Sequence, residues 1–178
     1  MQRITCTIQQ PVFNRLLPLF KTIFNPLILL ILAVSINAAD IDLDKLLKSA
    51  KKQNKHIMFF HHIPECPYCE TMIDENFKNS TILKEIDKNF IYVDIYTKNK
   101  DTIKFKDFKG SHKEFSKYLG AFVYPSTIFM NNNGDVIHKA IGYRNIDEFL
   151  AEITYVSSQS YKTMDLESYL LNLEFEKE

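Results

Sequence analysis

The sequence predicts an α/β domain of three layers built around a mixed sheet. Two observations carry this. Helical and strand patterns alternate along most of the chain, and the alternation ends in a β-hairpin followed by a helix, an order that parallel crossovers and a closing antiparallel pair satisfy together. A chain of 178 residues, 46% of them hydrophobic, suffices for one sizeable core and is short for two ordinary domains.

The elements follow in order. Between Asp42 and Asn54, Leu43, Leu46, Leu47 and Ala50 fall on one stripe with lysines opposite, which predicts an amphipathic helix. His56 to His62 is a short apolar run without polar alternation, suited to a strand buried on both faces. Pro64 ends it, and Pro67 suits the first turn of a helix, where its missing N–H costs no bond. The helix continues through Met72 and Ile73, and after Asn79-Ser80-Thr81 a second helical piece carries Ile82, Leu83 and Ile86. Asn79-Ser80-Thr81 also matches a glycosylation sequon but reads more simply as a helix cap.

Phe90 to Tyr96 alternates as a strand, with Ile91, Val93 and Ile95 on one face. Thr97 to Gly110 is Lys-rich and weakly patterned, and is expected to be an exposed loop with at most a short strand near Ile103 to Phe105. Ser111 and Glu114 have capping-box spacing and open a helix through Phe115 and Leu119. A strand from Ser126 to Met130, a turn over Asn131 to Gly134 and a strand from Asp135 to Ile141 make the hairpin. Asn145 and Glu148 repeat the capping-box spacing before a helix through Phe149 and Ile153. A joint at Ser157 to Ser160 leads to a final helix over Asp165 to Phe175.

Residues 1–39 have Arg3, Arg15 and Lys21 but no acid, then the apolar run Leu27 to Val34 and a small or polar stretch ending in Ala38-Ala39. This is the layout of a secretory signal peptide cleaved after Ala38 or Ala39, the alternative being an uncleaved anchor. Export, with a periplasmic location, is therefore the expectation. The predicted organisation is therefore a signal peptide over 1–39, the α/β domain over 40–156 and a C-terminal helical extension over 157–178. Without residues 1–39, 19 Lys and Arg stand against 22 Asp and Glu, interspersed along the chain. So mild an acidity, without a basic stripe, argues against a nucleic-acid partner.

Of the three cysteines, Cys6 belongs to the N-terminal segment, and Cys66 and Cys69 remain. Two cysteines cannot staple a domain of this size, and their spacing in Cys66-Pro67-Tyr68-Cys69 points instead to chemistry. A cysteine at a helix N-terminus has its thiolate stabilised by the helix dipole and free N–H groups, which makes Cys66 the candidate attacking sulfur. Cys69, three residues on, would resolve the mixed disulfide. An inert disulfide and half of a zinc site are the competing readings. The helix-start placement weighs against the first, and the lack of a second cysteine pair against the second. His61 and His62 could complete a Cys2His2 set, but adjacent strand residues point to opposite faces, so no metal is expected.

These residues, with Tyr124-Pro125-Ser126-Thr127 before the hairpin and Gly142 after it, resemble the thioredoxin superfamily over Asp40 to Val156. The resemblance implies a thioredoxin-like fold, a central mixed sheet flanked by helices, with the C-terminal helix as an addition. It implies that Pro125 is cis and faces the cysteines, and that the backbone of Tyr124 pairs with an extended substrate segment. Within the superfamily the chain is similar to exported bacterial proteins of the SoxW type, which also carry a loop like Lys98 to Lys109. The expected activity is thiol:disulfide exchange on protein disulfides with no cofactor beyond the Cys66–Cys69 disulfide. One domain without a dimerisation module resembles the reducing exported members, which implies a monomeric reductase fed by a membrane-embedded electron donor. A disulfide-forming oxidase and a non-catalytic binding module are the alternatives.

The chain departs from the family pattern in places. Glu65 stands where thioredoxins have Trp, and Phe60 where they keep a buried aspartate that assists the resolving cysteine. The proton shuttle is thus unassigned among His61, His62, Glu65 and Glu70. Glutaredoxins share the Pro-Tyr dipeptide, but their Thr-Val-Pro and later glycine pair are missing, which argues against glutathione chemistry.

Overall fold

The computed structural model describes residues 40–176. The main sheet has four strands in the order β3-β2-β6-β7: β2 (His56–His62), β3 (Phe90–Tyr96), β6 (Ser126–Met130) and β7 (Val136–Ile141). β2 and β3 run parallel, with His56 opposite Phe90 and His62 opposite Tyr96. β6 is antiparallel to β2, with Ile57 opposite Met130 and His61 opposite Ser126, and β7 is antiparallel to β6. β2 and β6 are central and buried on both faces, which is why apolar residues take successive positions in them, Ile57 to Phe60 and Ile128 to Met130, rather than alternate ones.

Alternate side chains of these strands divide the core in two. On one face Ile57, Phe59, Val93, Ile95, Ile128 and Met130 meet helix α1 (Leu43–Gln53) through Leu43 and Ala50, and helix α4 (His112–Tyr118) through Phe115. On the other, Met58, Phe60, Phe90 and Phe129 meet α2 (Pro67–Glu75), α3 (Ser80–Asn89) and α5 (Ile146–Ser157) through Met72, Ile82, Ile86, Phe149 and Ile153. Asp42, Asn79, Ser111 and Asn145 cap α1, α3, α4 and α5, the last two in full capping boxes with Glu114 and Glu148. The Asn79 side chain accepts from the N–H groups of Thr81 and Ile82, so the sequon-like triplet does serve as a cap.

The stretch expected to be an exposed loop with a short strand near Ile103 to Phe105 has that strand, but pairs it with a second one in a hairpin. β4 (Thr102–Phe105) and β5 (Phe108–Ser111) pair with each other, and β4 pairs with the two-residue β1 (Ile41–Asp42), forming a small separate sheet. Ile103 and Phe105 are fully buried in the first core half, and the Phe108 ring lies 5.4 Å from Phe115 and 4.9 Å from Tyr118. Lys104, Lys106 and Lys109 are not buried with them, and these lysines give the segment its loop-like composition. After α5 comes one 3-10 turn (Ser160–Lys162), then α6 (Leu166–Phe175), which packs on α5 through Tyr169 and Tyr155 with ring centroids 5.3 Å apart. Among the described residues no helix is long and apolar enough to cross a membrane. The signal-peptide reading of 1–39 lies outside the described residues.

Candidate active site

Cys66 is the N-cap of α2 and Pro67 its first residue. The Cys66 carbonyl accepts from the N–H groups of Cys69 and Glu70 at 3.0 Å each, and Cys66 Sγ accepts from the Cys69 N–H at 3.2 Å. Negative charge on this sulfur would therefore meet a backbone donor and the positive end of a helix. Cys66 and Cys69 form a disulfide, Sγ–Sγ 2.07 Å, with Cα atoms 5.2 Å apart. Cys66 is 8% exposed and Cys69 only 1%, so Cys66 is the cysteine nearer to solvent. Tyr68, between them, is exposed.

The register of β2 against β6 brings a second segment to this place. Ser126 pairs with His61, so Tyr124 and Pro125 lie at the end of the sheet where β2 leaves for Cys66. The Tyr124–Pro125 peptide is cis, and Pro125 is buried. Its carbonyl accepts from Gly142 N–H at 2.8 Å, a contact that Gly142 makes with φ at +89°. Tyr143 follows, its ring 6.0 Å from that of Tyr68 and its hydroxyl donating to Glu75 at 2.8 Å. The Tyr68–Tyr143 contact and the Gly142–Pro125 bond thus link residues 66–69, 142–143 and 124–125, and Phe122 and Val123, just before Tyr124, are exposed apolar side chains. Tyr143 was not among the residues expected from sequence; its signal was the neighbouring Gly142.

A buried ion cluster fixes the last loop. Glu152 of α5, 3% exposed, accepts from His138 Nε2 at 2.6 Å and from Arg144 Nε at 2.5 Å. Burial alone would raise its carboxyl, but the His138 and Arg144 bonds outweigh this and hold it below the ordinary value. Arg144 also donates to the carbonyls of Ile141 and Tyr143, and its own carbonyl accepts from Asn76 Nδ2 at 2.9 Å. The position could be read in the sequence: Glu152 sits among Phe149, Ile153 and Val156 on the apolar stripe of α5.

The four proton-shuttle candidates are not gathered at Cys69. His61 is buried on the face opposite α2, against Phe59 and Phe115, with Nδ1 2.9 Å from Ser116 Oγ. His62 projects from the other face, stacks on Phe60 and Tyr96, and bonds Asp94 at 2.9 Å. Glu65 and Glu70 are exposed, and Phe60 packs against Phe77 beneath α2. Among the described residues no three His, Cys, Asp or Glu side chains are grouped to hold a metal ion.

Burial, followed by the nearby His112 and His62, pushes the His61 imidazole down to about 3. An unfolded chain takes a proton there below about pH 6.5 while the folded one does not, so this stability is complete above that pH and is lost as pH falls. The loss should reach about 2 kcal/mol at pH 5. Urea unfolding at pH 7 and pH 5 should show it in the wild type and a flatter slope in His61→Phe. Equal slopes would mean that His61 is not held neutral.

A mixed α/β sheet with a Cys-X-X-Cys disulfide at the start of the helix after its central parallel strand defines the thioredoxin-like class. Residues 43–157 match the family model of a thioredoxin-like domain, and the chain belongs to that family. Its fold is similar to that of a thioredoxin-fold protein from Helicobacter pylori, at 21% identity and a TM-score of 0.52 over 66% of this chain and 83% of that one. It is also similar to a thioredoxin from Thermus thermophilus, at 17% identity and a TM-score of 0.51 over 67% and 87%. A DsbH oxidoreductase shares the fold at 14% identity and a TM-score of 0.50 over 70% and 89%. No curated protein sequence matches the chain significantly.

Proposed function

We propose that this protein is an exported thiol:disulfide oxidoreductase that reduces protein disulfides through Cys66 and Cys69. The observation that carries this reading is the asymmetry of the pair: Cys66 Sγ accepts a helix-start N–H and Cys66 is the more exposed residue, whereas Cys69 is almost wholly buried. In the dithiol form, the Cys66 thiolate attacks one sulfur of a substrate disulfide, forming a mixed disulfide and expelling the other sulfur as a thiolate that takes up a proton. Cys69, losing its proton, then attacks Cys66 Sγ. The Cys66–Cys69 disulfide forms, the second substrate sulfur leaves as a thiol, and two electrons have passed to the substrate. Tyr124, preceding Pro125, presents its backbone to an extended substrate segment during this exchange.

The next cycle requires a dithiol donor. Export, supported by the layout of residues 1–39, would place the protein beyond cytosolic reductases, so a membrane-embedded donor supplies the electrons. The disulfide is the only redox group that the cycle uses. The reducing direction rests on the resemblance to exported reducing members of the family.

Equilibration in glutathione buffers tests the reading. A reactive pair should titrate within the range of roughly −270 to −120 mV spanned by thioredoxin-fold oxidoreductases, with a reductase toward the lower end. A midpoint near the upper end would make the protein an oxidase. One below about −300 mV is the behaviour of a structural disulfide and would leave a binding module.

A further inference from the structure

Two segments that frame the disulfide also wall a recess of about 300 Å3. It is lined by Ile63 and Pro64, just before Cys66, by Tyr124, just before Pro125, and by Thr97, Lys98 and Lys113. We infer that this recess receives an acidic side chain, Glu or Asp, flanking the reactive cysteine of the substrate. The inference rests on the reading of Cys66 and Cys69 as a reactive pair and adds to it the chemical class of the substrate.

The lining has two parts. Ile63, Pro64 and Tyr124 are half-buried and give it an apolar floor suited to the methylene stem of a side chain. Lys98, just after β3, and Lys113, in the first turn of α4, are exposed and line the same recess from elements distant in sequence. Among the described residues neither has a carboxylate partner. Two lysines of the neighbouring hairpin differ in this: Lys104 pairs with Asp40, and Lys106 lies over the Phe105 ring. No acidic residue lines the recess; Glu65 and Glu70 flank the cysteines outside it. A substrate strand laid along the Tyr124 backbone directs successive side chains to opposite faces, about 3.3 Å apart along the strand. A residue beside the attacked cysteine therefore reaches the recess, where two cations without partners meet its carboxylate.

Two exposed ion pairs of this kind, screened by salt, amount to about tenfold in preference at low ionic strength. The test uses two peptide disulfides identical except for Glu or Lys at the residues flanking the cystine, with neutral 2,2′-dithiodipyridine as a reference substrate. The full chain should reduce the Glu peptide with about tenfold higher kcat/KM than the Lys peptide, and 0.5 M NaCl should largely erase the difference. In the Lys98→Glu/Lys113→Glu variant the ratio should invert. Equal rates for the two peptides, a faster Lys peptide, or a ratio unchanged in the double variant overturns the inference while leaving the dithiol chemistry intact. Failure to reduce 2,2′-dithiodipyridine as well overturns that chemistry and the inference with it.

Discussion

Cys66→Ser is expected to bring insulin-disulfide reduction down to the uncatalysed background and to trap no substrate. Cys69→Ser is expected to lose turnover equally but to accumulate a mixed disulfide in stoichiometric amount. The two cysteines differ in the structure in the ways this split requires. A serine hydroxyl at 66 cannot form the mixed disulfide, whereas serine at 69 leaves the Cys66 sulfur with its helix-start donor position and its exposure. Non-reducing gels of each variant after reaction with oxidised insulin, with mass spectrometry of the adduct, decide the matter. Equal adduct yields from the two variants would remove the assignment of roles.

The second large effect concerns a residue that touches neither cysteine. Glu152→Ala should destabilise the domain by about 3 kcal/mol, because it strips a buried carboxylate from His138 and Arg144 and leaves the guanidinium without its principal partner. A loss of that size should lower Tm by roughly 10 °C. Glu152→Gln, which retains an acceptor, should cost less. Arg144 also ties the carbonyls of Ile141 and Tyr143, and Gly142 between them bonds Pro125. The alanine variant should therefore lose insulin turnover at temperatures where it is still folded, as the loop behind Pro125 loosens. Thermal unfolding followed by circular dichroism checks the first part and insulin turnover at 25 °C the second. An alanine variant within 0.5 kcal/mol of the wild type would show that the cluster is energetically idle.

Much of the main sheet could be read from sequence because its causes are local. β2 and β6, each with a run of successive apolar residues, have the bounds expected from His56 to His62 and from Ser126 to Met130, and the capping pairs Ser111/Glu114 and Asn145/Glu148 mark two helix starts. The small sheet could not be read in this way. Phe108 to Ser111 carries Lys109 and Gly110 and has no alternation of its own; it is a strand because Phe108 packs on Phe115 and Tyr118 and because β4 finds β1 more than sixty residues away. The site divides along the same line. Cys66 at a helix start is a statement about four adjacent residues. Tyr143 reaches Tyr68, and Lys98 and Lys113 reach the recess beside Tyr124, from separate loops and helices, so only the completed sheet shows these neighbours.

The sheet also governs how the chain behaves beside copies of itself. β3 and β7 are the outer strands of the main sheet, and an exposed strand edge is a template on which further strands can grow into aggregates. Each carries an ionic side chain in its span: Asp94 in β3, held by His62, and Lys139 in β7, held by the Leu119 carbonyl. The register shift of β7 against β6 at Phe129/Met130 further breaks the regularity of that outer strand. A second molecule adding edge to edge would have to lie against these charges and match an irregular ladder, which disfavours sheet-to-sheet polymerisation without help from any residue of the disulfide site.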